Sequence, residues 1–304
     1  HAYLLLLPIG VDLLRWFGPR RRLQGRLGPL LDDSTRALLR MNSGDMAMRL
    51  EAVREIWGQF LQRFNLISLI RTYPIGVPSL LASQSPPETP IGPAPVIEVE
   101  SLLAGFGLLA AVLIAGFFLG CLYFNLLARS TAEGAAAFEM KTFGNQVLQT
   151  LLLTAGLIIM LAALSIPVML ALSVITFISP NLADIGVIVM IFILLWLLVP
   201  LVFTPHGIYS GQHNLLASIA TSVRLVRFFL PGTGIFLMFA ILISQGLDVL
   251  WRLAPATSWL TAVGIFGHAF IYTSVLAASF VYFRGGMRWM VQNIARQYQN
   301  EIKI

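Results

Sequence analysis

Charge is scarce in this chain. Of its 304 residues only 11% are Asp, Glu, Lys or Arg, while 57% are hydrophobic and the mean hydropathy is +0.81. Soluble domains carry roughly 25% charged residues, so a water-soluble globular fold is excluded. Cysteine is scarcer still: Cys121 stands alone, which rules out an intrachain disulfide and any CxxC or Cys/His cluster of zinc spacing. Alternation is missing too, because stretches such as Leu182 to Phe203 are apolar throughout, and a β-barrel needs strands that alternate polar and apolar. Enzyme signatures are absent as well. The chain has no HExxH, no GxxxxGK[ST], no GxSxG and no carboxylate pair inside an apolar run, so no catalytic residue is predicted. Pro231 to Gly234 carries glycines without a lysine or a preceding strand, and reads as the opening turn of a helix.

What is present is a series of apolar runs long enough to cross a hydrocarbon core of roughly 30 Å as helices. Ala2 to Phe17 is about sixteen residues, short of the ~20 a crossing needs. Since the chain starts at His1 inside this run, upstream residues are expected to complete it; the other reading is an interfacial helix with Asp12 and Arg15 paired at headgroup level. The second run, Ser101 to Leu127, carries Gly107, Ala111 and Ala115 at intervals of four, then Gly116 and Gly120, small residues that let another helix approach closely. The third, Val147 to Ile178, contains Pro167, where a kink is expected. Leu182 to Phe203, Phe228 to Leu250 and Trp259 to Phe283 follow. Trp251 and Trp259 bracket the turn between the last two, as aromatic belts do.

Twenty Lys and Arg against fourteen Asp and Glu leave a net charge of +6. The basic residues sit beside the apolar runs without interleaved aromatics, so the expected counter-charge is anionic lipid headgroups and not nucleic acid. Arg129, Lys141, Arg224, Arg227, Arg284, Arg288, Arg296 and Lys303 fall on one set of connections, and the alternate turns hold only Arg252, four residues after Asp248 and placed to pair with it. Six helices with both termini in the cytoplasm satisfy this bias. Arg20, Arg21, Arg22 and Arg26 oppose it, although they open a connection of about eighty residues, beyond the roughly 60 over which the rule holds.

That external connection has its own pattern. A short helix is expected from Asp33 or Ser34 to Met41, broken at Asn42, Ser43 and Gly44. From Asp45 a second begins, with Leu50, Val53, Trp57, Phe60 and Phe64 on one stripe and Glu51, Arg54, Glu55, Gln59, Gln62 and Arg63 on other faces. The stripe needs an apolar surface to lie on. Pro86, Pro87, Pro90, Pro93 and Pro95 then predict an extended strap over Ser83 to Val96.

Histidine is the remaining source of chemistry. His206 and His213, with Arg224 and Arg227, make a basic cluster for phosphate or a lipid headgroup, or else a solvated interfacial loop. His268 lies mid-span, where polar groups face the bundle interior. Gly264 and Gly267 leave a notch beside it, wide enough for a haem or chlorin ligated by the imidazole. The plainer reading is a neutral histidine bonded to Ser244 or Gln245, and a third is a transport or proton role.

From Phe203 to Arg227 the sequence has a recognisable pattern: an apolar run ends in Phe203, Thr204, Pro205 and His206, and a turn with Gly211 leads to Ser218, Ser222, Val223, Arg224, Leu225 and Arg227. This resembles the bacterial multi-pass proteins grouped with the membrane domain of glycerophosphodiester phosphodiesterases. The resemblance implies an interfacial helix ahead of the last helices. It carries over no catalytic residue, because the family's hydrolase activity resides in a separate soluble domain.

The expected architecture is an all-α integral membrane protein, a six-helix bundle with a helical, proline-rich extracytoplasmic connection. Residues 1–17 form the first span, 18–100 the amphipathic helix and strap, 101–284 the other five spans and 285–304 a basic cytoplasmic tail. The expected role is that of an accessory, scaffolding or assembly subunit of a complex in the bacterial inner membrane, with other membrane subunits and anionic lipid as partners. A permease or lipid transporter component is the alternative, and a pigment- or haem-binding subunit through His268 a lesser one.

Overall fold

The computed structural model describes residues 2–41, 44–83, 88–134, 138–211 and 213–301. Asn42, Ser43, Pro86, Pro87 and Lys303 therefore lie outside the described residues. The chain divides into two compact units, His1–Tyr123 with Leu242–Thr273, and Phe124–Ile241 with Ser274–Ile304. Among the described residues five helices are long and apolar enough to cross a membrane, which makes this an all-α, multi-pass membrane protein.

In the first unit, α1 (Leu6–Phe17) has twelve residues after a 3-10 turn and is not among those five helices. It is packed by protein: Ile9 and Trp16 join Leu80, Leu81, Ile265 and Ala269 in a buried cluster, and the Trp16 indole donates to the Ala256 carbonyl at 2.9 Å. Asp12 and Arg15 do not pair with each other as the interfacial reading has it. Both bind Ser79, whose hydroxyl donates to Asp12 at 2.5 Å and accepts from Arg15 at 2.9 Å.

The arginines after α1 are folded into structure. β1 (Arg20–Arg22) pairs in parallel with β4 (Val96–Glu98), the Arg20 amide donating to the Pro95 carbonyl at 2.7 Å. The arginine run is thus strand backbone under the second half of the strap, not a free loop segment. Ahead of β4 the described part of the strap forms a small hairpin, β2 (Glu88–Thr89) with β3 (Gly92–Pro93). Buried Asn65 joins these pieces to the next segment: its carboxamide oxygen accepts from the Arg21 amide at 3.0 Å and caps the 3-10 turn Leu66–Ile70 through the Ile67 amide at 3.2 Å.

Between β1 and that turn, α2 (Gln24–Met41) and α3 (Asp45–Arg63) pack together. α2 starts nine residues earlier than Asp33 and takes Pro29 into its second turn, where the proline removes one backbone donor. Gly44, at φ +67°, makes the reversal that a residue with a Cβ resists.

α4 (Leu102–Ser130) uses its small residues in two ways. Gly116 faces the Ile70 backbone and Gly120 lies against Gly76, where a Cβ would stand 3.0 Å from the Gly76 Cα. That groove is closed by the chain's own segment 70–76, and not by a foreign helix. Gly107, Ala111 and Ala115 remain exposed.

The second unit holds α5 (Met140–Ile178), α6 (Pro180–Leu198), α7 (Thr204–Gly211) and α8 (Leu215–Phe228). α5 runs through Pro167 as one helix of 39 residues, about 58 Å at 1.5 Å per residue. α6 stops at a 3-10 turn around Pro200. Ser222 mends this break, its hydroxyl donating to the Pro200 carbonyl at 2.7 Å and accepting from the Phe203 amide at 3.1 Å. α9 (Leu230–Trp251) and α10 (Leu260–Glu301) complete the chain. Within the second unit the Arg284 guanidinium donates to the carbonyls of Ala128 and Thr131 at 3.1 and 2.6 Å, capping the end of α4 with a cation where the helix dipole favours one.

Candidate functional site

The densest polar cluster of the first unit is built on the facing ends of α9 and α10. A carboxylate in apolar surroundings needs partners for all its lone pairs, and Asp248 has three. Its Oδ1 is 2.6 Å from His268 Nδ1, and its Oδ2 accepts from Arg252 at 3.2 Å and, at the limit of a hydrogen bond, from the Tyr272 hydroxyl at 3.5 Å. Asp248 and Arg252 are one helical turn apart, as are His268 and Tyr272, whose rings lie 4.2 Å apart. The Tyr272 hydroxyl in turn accepts from Gln245 at 2.8 Å. His268 itself is 1% exposed.

His268 is therefore anchored by Asp248, and the expected partner Gln245 is bound to Tyr272 instead. The notch expected beside it is occupied. A Cβ on Gly267 would stand 2.7 Å from the Trp251 indole, and one on Gly264 would stand 2.5 Å from the Trp251 carbonyl oxygen. The two glycines make room for Trp251, so a haem or chlorin at this position has to displace that tryptophan.

A second carboxylate belongs to the same surroundings. Asp12 is fully buried, accepts from Ser79 and from the amides of Leu80 and Leu81 at 2.8 and 3.0 Å, and caps the 3-10 turn Leu80–Ser83. Arg15 also donates to the Ser68 carbonyl. Asp12 and Arg71 both lie within electrostatic reach of His268.

Sequence reasoning found His268 but missed the roles of Asp12, Ser79, Asp248 and Tyr272. A signal existed: an ionisable residue at the edge of an apolar run is a site hypothesis by itself, and both aspartates qualify. Each has an arginine one turn away, Arg15 for Asp12 and Arg252 for Asp248, that offers the simpler partner, and only the second of these pairs forms.

The basic cluster does not form as expected. His206 is buried inside the second unit, its Nε2 2.7 Å from the Ser279 hydroxyl and its ring packed among Phe124, Phe203, Phe280 and Phe283. It cannot meet a headgroup there. His213, Arg224 and Arg227 are exposed, the two arginines on the outer side of α8, whose inner face is Ser218, Ser222, Leu225 and Val226.

On α3, Val53, Trp57 and Phe60 are 48%, 50% and 48% exposed. The edge of Phe60 meets Trp57 at 5.6 Å and its face stacks on Phe64 at 5.1 Å, while Leu50 is half-buried. The polar flank is the one engaged: Arg54 Nε donates to Asp32 of α2 at 2.7 Å, and Leu61 beside it is buried. α3 thus packs by its mixed flank and leaves its aromatic stripe outside. Compared with protein families, curated proteins and solved structures, the chain matches none.

Proposed function

We propose that this protein is a non-catalytic subunit of a larger complex in the bacterial inner membrane, with six spans, both termini in the cytoplasm and the α2–α3 hairpin outside. It assembles with another membrane protein through the outer stripe of α3. The observation that supports this reading is the inverted packing of that helix, with Val53, Trp57 and Phe60 about half exposed while Arg54 is tied to α2. A stripe of aromatic side chains gains roughly 1.5 to 3 kcal/mol for each one covered, so the exposed face favours a partner. Gly107, Ala111 and Ala115, exposed along α4, offer a second place for close helix approach.

Photo-crosslinkers at Trp57 and at Glu51 test the assembly. Expected is a discrete protein adduct from position 57, lost in Val53→Asp/Phe60→Asp, and none from position 51. Adducts only to lipid, or equal adducts from both positions, overturn it. A permease is the second reading. It is favoured by the hydrogen-bonded Asp248 and His268 within the apolar helices, and it requires solute flux that is lost in His268→Gln while the adduct persists.

A further inference from the structure

His268 Nδ1 faces the Asp248 carboxylate at 2.6 Å, so the imidazole proton sits on Nδ1 and Nε2 carries a lone pair. That nitrogen is buried, with no hydrogen-bond partner among the described residues. Orphaned buried polar atoms are rare in native proteins and usually have a functional or solvent explanation. Here the space around the ring limits what can occupy the atom. Trp251 lies against Gly267 and Gly264, and Tyr272 packs on the imidazole, so a macrocycle finds its place taken. A proton needs no cavity.

We propose that His268 is a proton-binding site, with Asp248 as its built-in counter-ion. A proton from water adds to Nε2, the neutral imidazole becomes imidazolium, no bond between heavy atoms changes, and the charge of the site rises by one. Burial of the ring opposes the cation most strongly, Asp248 on α9 and Asp12 on α1 favour it, and Arg71 in the connection after the Leu66–Ile70 turn opposes it; Arg252 at the end of α9 shares the Asp248 carboxylate. Tyr272, on the same face of α10, contributes a neutral hydroxyl directed at Asp248. Arg15, which shares Ser79 with Asp12, is held by the Ser68 carbonyl. Asp248 also leads from the ring to the end of α9, where its partner Arg252 has a side chain one third exposed.

The site is independent of the α3 stripe, and the two proposals fail separately: Val53→Asp/Phe60→Asp should leave the titration unchanged. The test uses the full chain in lipid nanodiscs with ¹⁵N-labelled histidine. The chain has four histidines, so the His268 resonances are identified by their loss in His268→Gln. If that variant does not fold, elimination with His1→Gln, His206→Gln and His213→Gln identifies them. Expected is a reversible change of Nε2 from acceptor to protonated nitrogen between about pH 5 and about pH 8. Asp248→Asn should lower the midpoint by about one pH unit, a roughly tenfold loss of proton affinity. A His268 signal that stays neutral from about pH 4 to about pH 9, or a midpoint unmoved in Asp248→Asn, overturns the proposal.

Discussion

Single residues in this protein act through what their smallness or polarity permits nearby. Gly116 and Gly107 look alike in sequence, each a small residue on an apolar helix. In the fold the Ile70 backbone covers Gly116, and open space surrounds Gly107. Gly116→Leu is therefore expected to destabilise the protein by about 1 to 3 kcal/mol through overpacking, and Gly107→Leu to leave stability unchanged. Unfolding of the two variants in detergent measures the difference, and equal losses would show that segment 70–76 does not seal α4. Ser222 is another such residue. Its two hydrogen bonds at the Pro200 break give this serine of α8 a structural task, while Arg224 and Arg227 on the opposite side are exposed.

Among the elements, the α2–α3 hairpin shows how a helix can orient against its hydrophobic pattern. The stripe from Leu50 to Phe64 was legible as helical spacing, but its direction was not, because that depended on Arg54 finding Asp32 on a helix 22 residues upstream. The hydrogen bond and charge of Arg54 hold the Asp32 carboxyl below the usual aspartate range. Since its folded value is depressed, the pair supports the hairpin fully above the ordinary value of 3.8 and loses that support as pH falls through the lower folded value. Solvent exposure keeps the contribution small. Spin labels at Ser34 and Gln59 should report a narrow distance at neutral pH that broadens in acid, and Asp32→Asn should be broad at both. A distance insensitive to Asp32→Asn would mean that Leu61 and its neighbours hold the hairpin alone.

For the whole molecule the proposal makes a prediction about sidedness. The end of α1 and the α9–α10 turn are joined by Trp16 donating to Ala256 and by its ring 6.0 Å from Trp259, so in the first unit those two ends lie together. The proposed topology puts both outside. Cysteines at Ser34 and Thr257 are expected to react with an impermeant reagent from outside, and those at Asn214 and Gln292 only after the membrane is opened. Reaction of Ser34 and Thr257 from opposite sides would break the proposed topology.

The sequence by itself determined the class of this protein, because apolar length, scarce charge and missing alternation act locally and need no knowledge of neighbours. It also located the five long helices, although α5 begins seven residues before Val147 and α10 runs eighteen past Phe283, and the reach of Arg252 to Asp248, one turn apart on one helix. Tertiary structure alone decided the rest. Asp12 and Ser79 are 67 residues apart and Asp248 and His268 are 20, so no helical period links them. Trp251 fills the notch at Gly264 and Gly267 only because α9 and α10 fold back on each other. A buried charge is satisfied by whichever donors the fold brings within about 3 Å, and spacing along the chain does not specify which those are.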